Sequence, residues 1–209
     1  MHPFSQECSH LNRILIQFAH PAFERSTVNR ALVAAASNLN GVEINDLYEH
    51  YPDFAIDVER EQKLLLEADL IVWQFPTMWY SVPPLMRQWQ DDVLQCKFAY
   101  GKNNQLSGKA LLVSTTTGGS RHDYKKPALH GAPVNDYLAA MRQTARFCQL
   151  HYLSPQIVYG ASSYENREDV EPIAEDYARL LLALRECDGD WERLAKIEDL
   201  TAEEVQSHG

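Results

Sequence analysis

Apolar residues follow two rhythms along this chain. Unbroken runs appear in RILIQF (Arg13–Phe18), LIVWQF (Leu70–Phe75) and KALLVST (Lys109–Thr115), which read as strands covered on both faces. GVEINDL (Gly41–Leu47) alternates and reads as a further strand, and PQIVYG (Pro155–Gly160) as a fifth. Between them the apolar positions repeat at helical spacing. Helices are predicted over 26–39, Asp57–Asp69, Pro84–Leu94, Val134–Leu150 and Glu168–Cys187. Ser26 or Thr27 can cap the first, and Pro84 sits in the first turn of the third. Strands alternating with helices, without repeats or linkers, predict one α/β domain: a doubly wound, five-stranded parallel sheet with helices on both faces. The domain is expected over 13–187, with a flexible tail at 1–12 and an acidic C-terminal tail at 188–209 that has room for one short helix.

Composition narrows the chemistry. The 209 residues are 45% hydrophobic and 23% charged, as in ordinary globular domains. The formal net charge of −10 disfavours nucleic acid as a partner, because phosphate binding needs a basic face. The start has no signal-peptide pattern and no run reaches membrane-span length, so a cytoplasmic protein is expected. Cys8, Cys96, Cys148 and Cys187 lack metal-type spacing. They read as reduced, partly buried thiols, with redox sensing by Cys148 or Cys187 as the alternative. No metal site is expected.

In such sheets ligands bind outside the carboxyl ends of the strands, where the strand order reverses. Three loops of unusual composition fall there. AHPAFERSTVN (Ala19–Asn29) offers His20, Ser26, Thr27 and Asn29 around a helix N-terminus, an arrangement suited to an anion, with His20 and Arg25 adding positive charge. Plain capping by Ser26 or Thr27 is the alternative. FPTMWYSVPP (Phe75–Pro84) puts two aromatics on a proline-rimmed loop, for a flat heterocycle, for packing under the loop or for a dimer interface. TTTGGSRHDYKKPALHG (Thr115–Gly131) opens with hydroxyls and with Gly118 and Gly119, which let backbone approach a ligand; a long solvated loop is the alternative. There is neither a G-x-G-x-x-G nor a phosphate-binding G-x-x-x-x-G-K-[ST] motif. The three loops together suit a planar cofactor with a phosphate arm, such as FMN or FAD.

At these loops the chain resembles the flavodoxin-fold NAD(P)H:quinone oxidoreductases, the DT-diaphorase family. Within it the sequence is most similar to the ancillary flavoproteins of glutathione-gated potassium-efflux systems. AHPAFERSTVNRAL, DLYEHYPDFAIDVEREQ, ADLIVWQFPTMWYSVPPLMRQWQDDVL, LSGKALLVSTTTGG and LSPQIVYG carry the likeness over roughly residues 13–185. The resemblance implies phosphate binding at His20, Ser26, Thr27, Val28 and Asn29, and isoalloxazine binding at Pro76, Thr77, Met78, Trp79 and Tyr80. It places a glycine edge at Thr116, Thr117, Gly118 and Gly119, and a catalytic pair at Tyr124 and His130. It implies a bound flavin (FMN, with FAD as the alternative), NAD(P)H as co-substrate, a quinone acceptor, ping-pong hydride transfer and a homodimer. Backbone N–H groups at Gly118–Gly119 would stabilise negative charge on the reduced ring. His130 would supply a proton to the quinone oxygen; a surface role is its alternative. Arg121, Lys125 and Lys126 read either as attracting the nicotinamide cofactor's phosphates or as a solvated rim. The segment SRHDYKK reads as an insert. The competing function is a regulatory flavoprotein docked on a potassium-efflux transporter at the inner face of the cell membrane.

Overall fold

The computed structural model describes residues 12–197 and 200–207. Six strands form one parallel sheet: β1 (Ile14–Phe18), β2 (Val42–Asp46), β3 (Leu70–Pro76), β4 (Ala110–Thr116), β5 (His151–Tyr152) and β6 (Gln156–Val158). The order is β2-β1-β3-β4-β5, with β6 also paired to β4. The chain therefore winds one way from β1 and the other way from β3, and the crevice opens where the loops after these two strands diverge.

The expected fifth strand, Pro155–Gly160, is observed as β6, and a two-residue β5 outside the expected bounds precedes it on the same edge of β4. Leu153 still donates to Leu111 O (2.9 Å). Ser154 then turns its hydroxyl onto Ile197 O (2.6 Å), and Pro155 has no N–H to give the ladder. The helix expected over 134–150 is likewise divided at Leu138 into α5 (Val134–Tyr137) and α6 (Ala139–Phe147). A short α2 (Leu47–His50), capped by the Asp46 carboxylate, follows β2 directly.

Alternation along β3 separates two cores. Ile71, Trp73 and Phe75 pack with residues of α3 (Val58–Glu67), α4 (Pro84–Val93) and α6. Leu70 and Val72 pack with α1 (Thr27–Ser37) and α7 (Arg167–Glu186) on the other face. This second core continues past residue 187. Trp191 and Leu194 of α8 (Trp191–Leu194) and Val205 of α9 (Ala202–Gln206) are buried in it. The segment expected as an acidic tail thus caps the domain, with Trp191, Leu194 and Val205 turned inward. The expected N-terminal tail falls on residues 1–11, outside the described residues. Asn12 itself is buried, and its amide donates to Leu184 O (3.0 Å) and Cys187 O (3.2 Å).

One polar cluster lies inside the first core. Glu61, in the first turn of α3, is fully buried. Its carboxylate accepts from Gln17 Nε2 of β1 (2.9 Å), Asn45 Nδ2 of β2 (2.8 Å), Tyr51 Oη (2.7 Å), Trp89 Nε1 of α4 (2.8 Å) and Arg60 Nη1. Two strands and two helices meet on one carboxylate, just below the end of β1 that carries the first candidate loop.

Burial also couples the titration of one thiol to folding. It pushes the Cys148 thiol up to about 11 from an ordinary value of 9.0. Between these values the folded chain holds a proton that the unfolded chain has lost, so unfolding free energy falls as pH rises through that window, by up to about 1.4 kcal/mol per pH unit. Urea unfolding between pH 9 and 10 should therefore show a flatter decline in Cys148→Ala than in the parent. Parallel declines would refute this.

Candidate functional site

The first loop is organised by capping. Ser26 Oγ accepts from Asn29 N and Asn29 Nδ2 (3.1 Å each), which opens α1. The amides of Thr27 and Val28, in the first turn, have no intrahelical acceptor, and the helix dipole adds to their pull on an anion. Val28 contributes only backbone here, since its side chain is core. Asn29 Nδ2 also donates to Thr116 Oγ1 (3.1 Å), tying this loop to the end of β4. The Asn29 Oδ1 beside it is buried and has no partner. His20 differs from expectation. Burial pushes its pKa down, and its Nδ1 accepts from Ala22 N (3.1 Å). In the neutral ring this leaves the proton to Nε2, a directional donor towards the loop.

The second loop continues from Pro76, which pairs with Thr116. Thr77 N donates to Thr116 O (2.8 Å), and the Thr77 and Thr115 hydroxyls share a hydrogen bond (2.9 Å). Met78 and Ser81 then exchange backbone hydrogen bonds (2.9 and 3.0 Å) around a two-residue turn with φ +48° at Trp79 and +63° at Tyr80. Both central residues are left-handed, as in a type I′ turn, where Asn-Gly is the usual occupant. Two aromatics here cost about 1–3 kcal/mol each, strain of the kind stored at functional sites. The turn holds Trp79 93% exposed, so this ring does not pack under its own loop. Tyr80 leans inward on Tyr137 (ring centroids 4.8 Å).

The third loop lies between them. The carbonyls of Thr117, Gly118 and Gly119 are taken by Ala161 N (2.7 Å), Ser162 Oγ (2.9 Å) and Gly160 N (2.8 Å). Among the described residues no acceptor takes the amides of Gly118 and Gly119. Tyr124 is buried and stacks on His130 (centroids 4.1 Å, planes 21° apart). The pair sits over Gly119: a Cβ there would stand 2.8 Å from His130 Nε2 and 3.1 Å from Tyr124 Cε2. Burial, then the neighbouring Tyr80, pushes the Tyr124 phenol pKa up, keeping it a donor. The segment SRHDYKK is the arm that delivers this pair. Asp123 Oδ2 accepts from Ser120 N (2.8 Å) and Oγ (2.7 Å), and Asp123 O accepts from His130 N (3.0 Å). Arg121 lies over the Tyr159 ring, 5.4 Å from its centroid, while Lys125 and Lys126 are exposed.

The sequence thus marked the three loops. It did not mark the supports: Tyr137, whose hydroxyl donates to His130 O, Tyr159, and the segment Gly160–Ser162. Tyr159 and Gly160 directly follow β6, and the carboxyl-end rule applied to that strand would have found them. Among the described residues no group of three or more His, Cys, Asp or Glu is placed to hold a metal ion.

A parallel sheet of this order, with a capped helix start, an aromatic turn and a glycine edge at its carboxyl ends, defines a flavodoxin-like protein. The family described as flavodoxin-like fold matches residues 12–181, and the chain belongs to it. The glutathione-regulated potassium-efflux system ancillary protein KefG of Enterobacter sp. (strain 638) is 43% identical over 150 residues, 71% of this chain and 82% of that protein. Among solved structures, general stress protein 14 of Treponema denticola, in complex with FMN, aligns with a TM-score of 0.77 at 35% identity, covering 82% of this chain and 99% of its own. An NADPH-quinone reductase of P. pentosaceus aligns at 0.71 and 30% identity, covering 79% and 97%.

Proposed function

We propose that the protein is an FMN-dependent NAD(P)H:quinone oxidoreductase. The observation that carries this reading is the Tyr124–His130 stack held over the Gly119 edge at the carboxyl end of the sheet. The overall reaction is NAD(P)H + quinone + H⁺ → NAD(P)⁺ + hydroquinone. Bound FMN would supply the two-electron relay between the nicotinamide and the acceptor, which take the same place in turn.

The chain's own groups fit that cofactor. The N-terminus of α1, with Ser26, the Thr27 and Val28 amides and the His20 Nε2–H, would hold the phosphate. The unpartnered Asn29 Oδ1 offers an acceptor to a hydroxyl of the ribityl arm. The free amides of Gly118 and Gly119 would hold the ring's polar edge, where negative charge develops on reduction. Pro76, Thr77, Met78, Trp79 and Tyr80 would line the isoalloxazine ring. Tyr124 and His130 would orient the acceptor and hold a proton at its oxygen. The FMN-bound relative favours FMN over FAD. Trp79, projecting into solvent, is suited to cover by a second subunit, which makes a homodimer part of the proposal.

Protein loaded with FMN should show the flavin absorption spectrum and reduce quinones such as menadione with NADH or NADPH. The reading fails if the loaded protein turns over none of several quinones. The likeness to KefG supports a second reading, in which the flavoprotein docks on a potassium-efflux transporter at the inner face of the membrane. Among the described residues no helix is long and apolar enough to cross a membrane. Co-purification with the transporter, set beside the turnover of the isolated protein, separates the two readings.

A further inference from the structure

Tyr80 belongs by position to the aromatic wall, yet its hydroxyl is directed elsewhere. It lies 3.1 Å from His130 Nδ1, with the two rings at 70° and centroids 5.7 Å apart. His130 is held from every side. Its N–H donates to Asp123 O, its carbonyl accepts from the Tyr137 hydroxyl, and one ring face is stacked on Tyr124. With Nδ1 occupied by Tyr80, Nε2 is the ring nitrogen over the Gly119 edge.

We infer that Tyr80 is a positioning residue for His130: its hydroxyl engages Nδ1 in both charge states of the ring and confines proton exchange to Nε2. The inference rests on the reductase reading for its consequence, and on geometry alone for its premise. A phenol suits the task because it is both donor and acceptor. It donates to Nδ1 when the imidazole is neutral, which places the single ring proton on Nε2. It accepts from Nδ1–H when the ring is an imidazolium, with no heavy atom moving. A carboxylate at this point would only accept, and an ammonium would only donate. The left-handed turn gains a role from this arrangement. A right-handed turn at Trp79–Tyr80 would aim the side chains differently, whereas φ +48° and +63° turn Tyr80 in towards His130 and Trp79 out to solvent.

The test is Tyr80→Phe, which keeps the ring and removes only the hydroxyl. Nitrogen-15 spectra of histidine-labelled protein, with His130 assigned by comparison with His130→Gln, read the ring directly and need no bound flavin. In the parent, neutral His130 should carry its proton on Nε2, with Nδ1 showing the upfield position of a hydrogen-bonded acceptor. In Tyr80→Phe the Nδ1 resonance should move downfield while the unfolding midpoint stays put. With FMN bound, kcat for quinone reduction should fall about tenfold, the worth of one hydrogen bond, while kcat/KM for NAD(P)H stays unchanged. A parent His130 protonated on Nδ1, an Nδ1 resonance indifferent to the substitution, or an unchanged kcat would each overturn the inference. If the parent reduces no quinone, the reductase reading falls, and the spectra still decide the role of Tyr80.

Discussion

Glu61→Ala is expected to lower the unfolding free energy by about 3–5 kcal/mol, the cost of breaking a buried ionic cluster from one side. The carboxylate is fully buried and is the common acceptor of five donors. Removing it leaves the Gln17, Asn45, Tyr51 and Trp89 groups without their shared acceptor in a closed core, at about 1–3 kcal/mol for each one left unsatisfied. Repacking and water entry keep the total below that sum. Tyr51 cannot release the strain by ionising. Burial, the largest of the causes that push its phenol up in the parent, persists in the variant and keeps it a donor at neutral pH. Asp91→Ala is the contrast. Its partner Arg87 lies at 3.0 Å, but both side chains are more than half exposed, and such pairs contribute about 0–1 kcal/mol. Urea unfolding of the two variants measures the difference directly. Equal losses would show that the buried cluster does not govern stability. Total stabilities of about 5–15 kcal/mol mean that Glu61→Ala would lose a large share of what the fold has.

This cluster also shows where reading the sequence stops. Central strands were legible because burial on both faces writes them as apolar runs, as in Leu70–Phe75. The edge was not: His151–Tyr152 is two half-buried residues with no run to notice. Glu61 lies in a helix start rich in acid, where solvent exposure is the default reading. Only the polar Gln17 inside an otherwise apolar strand hinted at a buried partner. In the C-terminal segment, charge concealed Trp191, Leu194 and Val205, three apolar residues on two short helices. At the site, composition and the carboxyl-end rule located all three loops, and the six-residue spacing of Tyr124 and His130 matches their stacking in space. The Tyr80–His130 contact was hidden because two aromatics in a left-handed turn run against local preference. The lowered pKa of His20 is not legible in the sequence, because its burial is a property of the packed loop beside Phe18 and Phe23.

Gly119→Ala should lower quinone reduction by about a hundredfold, because misplacing catalytic groups by about 1 Å costs rates of that order. Gly119 has no left-handed φ, so its backbone accepts alanine without strain. Space decides the outcome. The new methyl would stand 2.8 Å from His130 Nε2 and 3.1 Å from Tyr124 Cε2, closer than Cβ contacts allow. Tyr124 belongs to the first core and His130 is held by Asp123, Tyr137 and Tyr80, so making room for the methyl should also cost about 1–3 kcal/mol of unfolding free energy. The displaced nitrogen is the one that Tyr80 leaves free to face the site. Gly118→Ala separates this effect from that of a methyl anywhere on the loop. Its Cβ meets only Ser162 Oγ, at an ordinary 3.8 Å, and should leave the His130 and Tyr124 resonances where they are. Wild-type turnover in Gly119→Ala, with those resonances demonstrably shifted, would mean that the Tyr124–His130 pair takes no part in the chemistry.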